Sequence, residues 1–144
     1  MQIRPNRVVA AVLVAYVAGL LYLTLLIPFS YGPGDRLNLV PFKMMADDYR
    51  AGGSRFVVNF LGNIGVFGPI GLALPIVLGP RFGAVRVTLI GMALSLSIEV
   101  AQWISGYRVA DVDDVILNTV GTSLGYASFA IGQALLRRRT SRQA

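Results

Sequence analysis

Four long apolar stretches constrain this chain more than any other feature of its sequence. They cover residues 8–28, 57–79, 87–105 and 115–136, and the only charged residue within them is Glu99. A helix needs about 20 apolar residues to cross the roughly 30 Å hydrocarbon core of a bilayer. The stretches therefore predict an all-α integral membrane protein, with one domain over residues 1–144 built as a bundle of four transmembrane helices.

The residue types that the chain lacks limit the chemistry it can perform. It has no cysteine and no histidine, and only 14% of its residues are charged, whereas soluble domains have about 25%. Disulfides, thiolate nucleophiles, histidine bases and the usual zinc ligands are therefore excluded. Any chemistry must use carboxylates, amides, hydroxyls and arginines, with an oxygen-preferring ion such as Mg²⁺ or Ca²⁺ as the expected metal.

The distribution of basic residues predicts the topology. Four spans put both termini on one side, together with the loop between the second and third spans, and that side carries eight of the thirteen basic residues: Arg4, Arg7, Arg81, Arg86, Arg137, Arg138, Arg139 and Arg142. Positively charged flanks favour the cytoplasm, so both termini are predicted to be cytoplasmic. The basic tail 137–144 is typical of contact with anionic lipid, and membrane lipids are the expected partners, with no nucleic acid.

The first outer loop, residues 29–56, is long. Structureless loops of more than about 15 residues are usually functional or disordered. Its segment 43–50, Lys-Met-Met-Ala-Asp-Asp-Tyr-Arg, predicts a short surface helix.

Polar residues of the spans converge on the outer face, although the chain direction alternates from one span to the next. They lie at the outer ends of the second, third and fourth spans: Asn59, Asn63, Glu99, Gln102, Asp114 and Asn118. With a rise of about 1.5 Å per residue, Asn63 and Glu99 each lie roughly 9 Å below the span boundary. Polar groups at such depth are costly and indicate a functional or interhelical contact.

Glycines predict where helices approach each other closely. Gly121 and Gly125 form a small-residue pattern in the fourth span, and the second span carries a similar stripe: Gly62, Gly65, Gly68 and Gly71. Small residues allow helix backbones to come into contact in membranes. Pro69 is expected to kink the helix and to free the carbonyl of Gly65, which should then face the bundle interior; simple bending of the helix is the alternative.

An acidic cluster follows the third span. Arg108, Asp111, Asp113 and Asp114 lie within seven residues, close to Glu99. One arginine cannot neutralise this negative charge, so a divalent cation held by Glu99, Asp111, Asp113 and Asp114, a basic group of the first loop, or a cationic ligand is expected to compensate it. Alternatively, Asp113 caps the fourth helix.

The order of these motifs resembles the VanZ-like membrane proteins. The resemblance covers residues 10–135 and rests on four blocks: Asn38-x2-Pro41-Phe42, Asn59-x3-Asn63-x3-Phe67-x-Pro69-x-Gly71, Ser95-x3-Glu99-x2-Gln102, and Arg108-x2-Asp111-x-Asp113-Asp114-x3-Asn118-x2-Gly121-x3-Gly125. It implies a small multi-pass protein of the bacterial cytoplasmic membrane. The name-giving member is linked to low-level teicoplanin resistance, and the resemblance implies no settled molecular activity or substrate.

Three hypotheses share one set of candidate site residues: Asn38, Asn59, Asn63, Glu99, Gln102, Arg108, Asp111, Asp113, Asp114 and Asn118. The first is recognition of a lipid-linked or cell-envelope precursor at the outer leaflet, with an effect on glycopeptide sensitivity. The second is a metal-dependent enzyme acting on a lipid phosphate, with Glu99 as general base and Arg108 as phosphate ligand. The third is a structural accessory subunit of a membrane complex. The sequence contains no recognised catalytic motif, which leaves the question of an enzyme open.

Overall fold

The computed structural model describes residues 5–26, 37–79, 82–106 and 108–141. Within these ranges, five helices and two short strands follow one another: α1 Pro5–Leu25, β1 Leu37–Asn38, α2 Lys43–Arg50, α3 Ser54–Leu78, α4 Ala84–Ser105, β2 Ala110–Asp111 and α5 Val112–Thr140. Four of the helices are long and apolar enough to cross a membrane. The prediction of an all-α membrane bundle is therefore confirmed.

The helix boundaries differ from the predicted ones mainly at the ends. Helices α3, α4 and α5 each begin three residues earlier than predicted, and α5 continues to Thr140. Charged and hydroxylated residues are compatible with a helix once it reaches the interface, so hydropathy marks only the lipid-embedded part. Residues 27 and 28 of the first predicted span lie outside the described residues. Helix α2 confirms the short surface helix.

The closest helix contact is the crossing of α3 and α5. A Cβ atom added to Gly125 would lie 2.0 Å from the carbonyl oxygen of Gly68, and one added to Gly71 would lie 1.9 Å from that of Thr122. These distances are far below any van der Waals contact, so the crossing requires glycine. A Cβ added to Gly62 or Gly65 would meet no described atom within 4 Å. Only half of the predicted glycine stripe therefore faces α5.

Helix α1 packs at the periphery of the bundle. The main cluster of buried apolar side chains comes from α3 and α4: Phe67, Ile70, Leu74, Val87 and Ile98. Leu13, Val17 and Leu20 of α1 pack against this core and remain partly exposed. The Tyr16 hydroxyl donates a hydrogen bond of 2.8 Å to the carbonyl of Val66 in α3.

The prediction that the carbonyl freed by Pro69 faces the bundle interior is wrong. Helix α3 continues through this residue, and both Gly65 and Pro69 lie on the exposed side of the helix. The carbonyl that Pro69 leaves without its helical partner therefore does not face the bundle interior. Helix α3 is rotated so that Gly68 and Gly71 face α5, because the close crossing determines which side of the helix is buried.

One end of the bundle gathers the remaining elements. At this end, which we call the polar end, α3 and α5 begin and α4 ends. Strands β1 and β2 pair in parallel there, with Leu37 opposite Ala110 and Asn38 opposite Asp111. The pairing joins the first loop to the segment between α4 and α5, and it brings Asn38 to the acidic cluster.

Candidate functional site

Two adjoining cavities lie at the polar end. The outer cavity has a volume of about 110 Å³ and lies against α2, and the inner cavity has about 120 Å³ and reaches between α1, α3, α4 and α5. Four predicted site residues line both cavities: Asn63, Gln102, Arg108 and Asp114. Asn59, Asp111 and Asp113 line only the outer cavity, whereas Glu99 and Asn118 line only the inner one. The fold thus brings nine of the ten predicted residues together, and the tenth, Asn38, is bonded to one of them.

A chain of three hydrogen bonds connects four of these residues. The Glu99 carboxylate accepts a hydrogen bond of 2.7 Å from the backbone N–H of Asp111. The Asp111 carboxylate accepts one of 2.8 Å from the Asn38 amide and one of 3.0 Å from the N–H of Asp113. All three bonds are buried, so α4, α5 and β1 are held together by polar contacts inside the molecule.

Asp111, and not Asp113, is the N-cap of α5. Asp111 has the extended backbone of an N-cap residue, with φ −129° and ψ 125°, and its side chain accepts from the N–H of Asp113. Asp113 already lies in the first turn of the helix. The expectation that Asp113 caps this helix is therefore wrong, because β-pairing with Asn38 gives Asp111 the backbone conformation that capping needs.

Burial raises the pKa of the Asp111 carboxyl. The backbone N–H of Asp113 and the amide of Asn38 oppose this shift, since hydrogen bonds to a carboxylate favour its charged form. The negative charges of Asp113 and Asp48 add to the shift in the same direction as burial.

Asp113 caps a different helix. Its carboxylate accepts hydrogen bonds from the backbone N–H groups of Phe42 and, at 3.3 Å, Met45. These groups belong to the first turn of α2, which has no side-chain cap from its own N-cap residue. Unsatisfied N–H groups and the positive end of the helix dipole favour an anion at this position. Asp113 thereby fixes α2 over the outer cavity.

Two contributors to the site were not predicted from the sequence. Asp48 of α2 accepts a hydrogen bond from the exposed Asn59 side chain and lines the outer cavity. The carbonyl of Thr24, near the end of α1, accepts bonds from Gln102 at 3.2 Å and Arg108 at 3.3 Å. Carbonyls in the last turn of a helix lack a helical partner, which is the one signal that could have indicated Thr24.

One buried oxygen at the inner cavity is not paired by any residue that the structure describes. The Asn63 amide donates to Asp114 at 2.6 Å, and the Asn118 amide donates to Ser95 at 2.8 Å. Asn118 is only 5% exposed, and its Oδ1 atom has no hydrogen-bond partner in the part of the chain that the structure describes. Buried polar atoms are nearly always paired, so an orphan of this kind needs an explanation.

The VanZ/LLP1 family model matches residues 13–135 of the chain. The chain belongs to the VanZ/LLP1 family. The match extends from the middle of α1 into α5 and includes all ten site residues, which confirms the resemblance seen in the motifs. No curated protein and no solved structure matches the chain.

The carboxylates of this VanZ/LLP1 protein are bonded to separate partners. In the described ranges, no three or more acidic side chains form a group that could hold a metal ion. Backbone N–H groups already bind one oxygen of Glu99 and both oxygens of Asp113. Binding of Mg²⁺ or Ca²⁺ at this cluster stays a prediction. The site as it stands is rich in hydrogen-bond acceptors.

Proposed function

We propose that this VanZ/LLP1 protein binds a lipid-linked or cell-envelope precursor at the outer leaflet of the bacterial cytoplasmic membrane. Binding would alter the sensitivity of the cell to glycopeptides such as teicoplanin. The observation that carries the proposal is the pair of adjoining polar cavities, which four helices and α2 enclose at one end of a membrane bundle.

The free-energy cost of placing polar side chains within a membrane supports the binding of a ligand at these cavities. Polar side chains within spans are rare, because the hydrocarbon core cannot hydrogen-bond to them. A bundle that needs polar contacts only for packing would pair them fully, yet Asn118 Oδ1 has no partner among the described residues. Solvent or a ligand group entering the inner cavity would supply that partner.

The proposed orientation places the polar end outside. Arg137, Arg138 and Arg139 end α5 at the opposite end of the bundle, where a cytoplasmic anionic surface would attract them. A ligand of the outer leaflet could then reach the cavities from the lipid and from the water.

The test compares Asp114→Asn with Asp47→Asn. Asp114 lines both cavities, whereas Asp47 forms an exposed ion pair with Arg50 and lines neither. We expect wild-type protein and Asp47→Asn to retain an envelope lipid during purification, detected by mass spectrometry, and Asp114→Asn to lose most of it. Cells expressing Asp114→Asn should also lose the change in teicoplanin sensitivity. A folded Asp114→Asn protein with unchanged lipid content and unchanged sensitivity would contradict the proposal.

The same variants test the metal-dependent enzyme. A ligand that binds only the folded state raises the thermal midpoint with its concentration. A rise with Mg²⁺ or Ca²⁺ in wild-type protein, absent in Asp114→Asn, would support that alternative and put lipid phosphate hydrolysis to assay. A structural subunit would instead show a lower midpoint in Asp114→Asn and no response to any ion or lipid.

A further inference from the structure

An apolar cleft lies beside the polar cavities. It has a volume of about 260 Å³, and its lining combines apolar residues of α4, α5 and both strands, among them Leu37, Leu96, Val100 and Trp103. Glu99 and Asp111 also line it. Glu99 belongs to the inner cavity as well, and Asp111 to the outer one. The two residues therefore form the boundary between apolar and polar space.

The cleft is continuous with the lipid-facing surface of the bundle. Leu96, Val100 and Trp103 lie on the outer half of α4, and about half of each side chain is exposed. A cavity of about 150 Å³ holds a benzene molecule, so this cleft can take a stretch of one hydrocarbon chain. A chain in this position would leave the bilayer directly next to the polar cavities.

The charge of the polar cavities selects the headgroup. The described residues that line them include five acidic side chains and one basic side chain: Asp48, Glu99, Asp111, Asp113, Asp114 and Arg108. Complementary charge attracts a ligand, and like charge repels it by an amount that grows where water is excluded. A phosphate would meet mostly acidic side chains, whereas a protonated amine would find carboxyl and amide oxygens as acceptors.

We propose that the ligand is a single-chain amphiphile whose hydrocarbon chain lies in this cleft and whose amine-bearing headgroup enters the polar cavities. The inference rests on the proposed function and specifies its substrate class. The occupant of the cleft is the chain of that amphiphile, because Glu99 and Asp111 line both the apolar and the polar space.

The fluorescence of Trp103 can report whether an amphiphile occupies the cleft. It is the only tryptophan of the chain and lines the cleft. The protein is reconstituted in phosphatidylcholine nanodiscs and titrated with three amphiphiles that share one brominated alkyl chain and end in an amine, a phosphate or a hydroxyl. We expect the amine to quench Trp103 fluorescence saturably, at a mole fraction about tenfold lower than the other two, since tenfold corresponds to about 1.4 kcal/mol of charge complementarity.

A matched pair of variants separates the cleft from the general lipid surface. Val100→Phe narrows the cleft, and Val120→Phe makes the same change on an exposed part of α5 that does not line it. We expect the preference for the amine to disappear in Val100→Phe and to persist in Val120→Phe. Thermal midpoints without added amphiphile show whether each variant folds. If Val100→Phe does not fold, the titration of the wild-type protein with the three amphiphiles still tests the inference.

Each outcome has one meaning. Equal quenching by the three amphiphiles, or a preference for the phosphate, would overturn the inference. An amine preference that Asp114→Asn removes but Val100→Phe leaves intact would place the headgroup correctly and overturn the role of the cleft. The proposed function fails separately, through unchanged lipid retention and unchanged teicoplanin sensitivity in Asp114→Asn.

Discussion

At the scale of single residues, the acidic side chains of the polar end serve as acceptors for backbone N–H groups. Glu99 accepts from Asp111, Asp111 from Asp113, and Asp113 from the first turn of α2. Hydrogen bonds to charged groups contribute about 1.5–3 kcal/mol each, and losing one partner leaves a buried group unsatisfied. These carboxylates therefore stabilise the loops around the cavities as well as lining them.

Replacing Asp113 should release α2. Asp113→Ala leaves the N–H groups of Phe42 and Met45 without an acceptor, and we expect a loss of about 1–3 kcal/mol in the free energy of unfolding. The thermal midpoint in detergent should fall, and trypsin should cut faster at Lys43 and Arg50. The control is Asp47→Ala, which breaks only the exposed Asp47–Arg50 ion pair and should change stability by about 0.5 kcal/mol or less. Equal effects of the two substitutions would contradict the capping role.

The pH dependence of stability should report on Asp111. Its pKa is raised in the folded protein, so above about pH 4, the ordinary aspartate value, the folded state binds more protons than the unfolded chain. This residue therefore makes stability fall as the pH rises through its folded pKa. Asp111→Asn keeps an oxygen for capping and removes the titration.

The thermal midpoint of Asp111→Asn relative to wild type should accordingly increase between about pH 4 and pH 7. Taking the difference between the two proteins cancels the shared carboxylates that do not interact with Asp111, whereas Asp113 and Asp48 are coupled to it. A difference that stays constant over this range would show that Asp111 does not titrate abnormally.

At the scale of secondary structure, the crossing of α3 and α5 positions the site. Asn63 of α3 bonds to Asp114 of α5 at 2.6 Å, and the glycine contacts of the same two helices lie further along the bundle. Membrane helices lack a hydrophobic driving force for association, so close backbone packing carries much of their stability. Separating these helices would open the inner cavity.

Two glycine substitutions should have opposite effects. A Cβ in Gly125→Ala would lie 2.0 Å from a backbone oxygen of α3, and overpacking of this kind costs about 1–3 kcal/mol or more. Gly62→Ala adds a Cβ that meets no described atom within 4 Å, so helix propensity should stabilise it by up to about 1 kcal/mol. Thermal midpoints of the two variants check the expectation. A Gly125→Ala protein as stable as Gly62→Ala would show that the helices do not cross as closely as described.

At the scale of the whole molecule, the orientation in the membrane decides which compartment the site serves. Ser54 begins α3 at the polar end and Ser141 follows α5 at the other end, and both are exposed. Because the chain has no cysteine, Ser54→Cys and Ser141→Cys each introduce a single reactive thiol. No background labelling of the protein itself needs to be subtracted.

Both termini are expected in the cytoplasm. A membrane-impermeant maleimide should then label Ser54→Cys in intact cells and Ser141→Cys only after permeabilisation. The reverse pattern would place the polar end in the cytoplasm and would remove the outer leaflet from the proposed function.

The four spans, the short helix 43–50 and the convergence of polar residues at one end could all be predicted from the order of the residues. These features follow from local physics: lipid excludes unpaired polar groups, a bilayer fixes helix length, and alternating chain direction brings Asn63, Glu99 and Asn118 to one level. The order of the sequence motifs predicted a VanZ-like protein, and the family match over residues 13–135 confirms it.

The pairing of the polar groups, in contrast, became known only from the folded chain. Asp113 caps α2, which is distant in sequence. The carbonyl of Thr24 accepts hydrogen bonds from the side chains of Gln102 and Arg108, which belong to elements far along the chain. The exposed position of Pro69 and the cleft at Trp103 likewise depend on how each helix is rotated and where it crosses its neighbours. Rotation and crossing are set by packing between distant residues; the glycine pattern marks candidate contact faces, but not which part of the stripe on α3 meets α5.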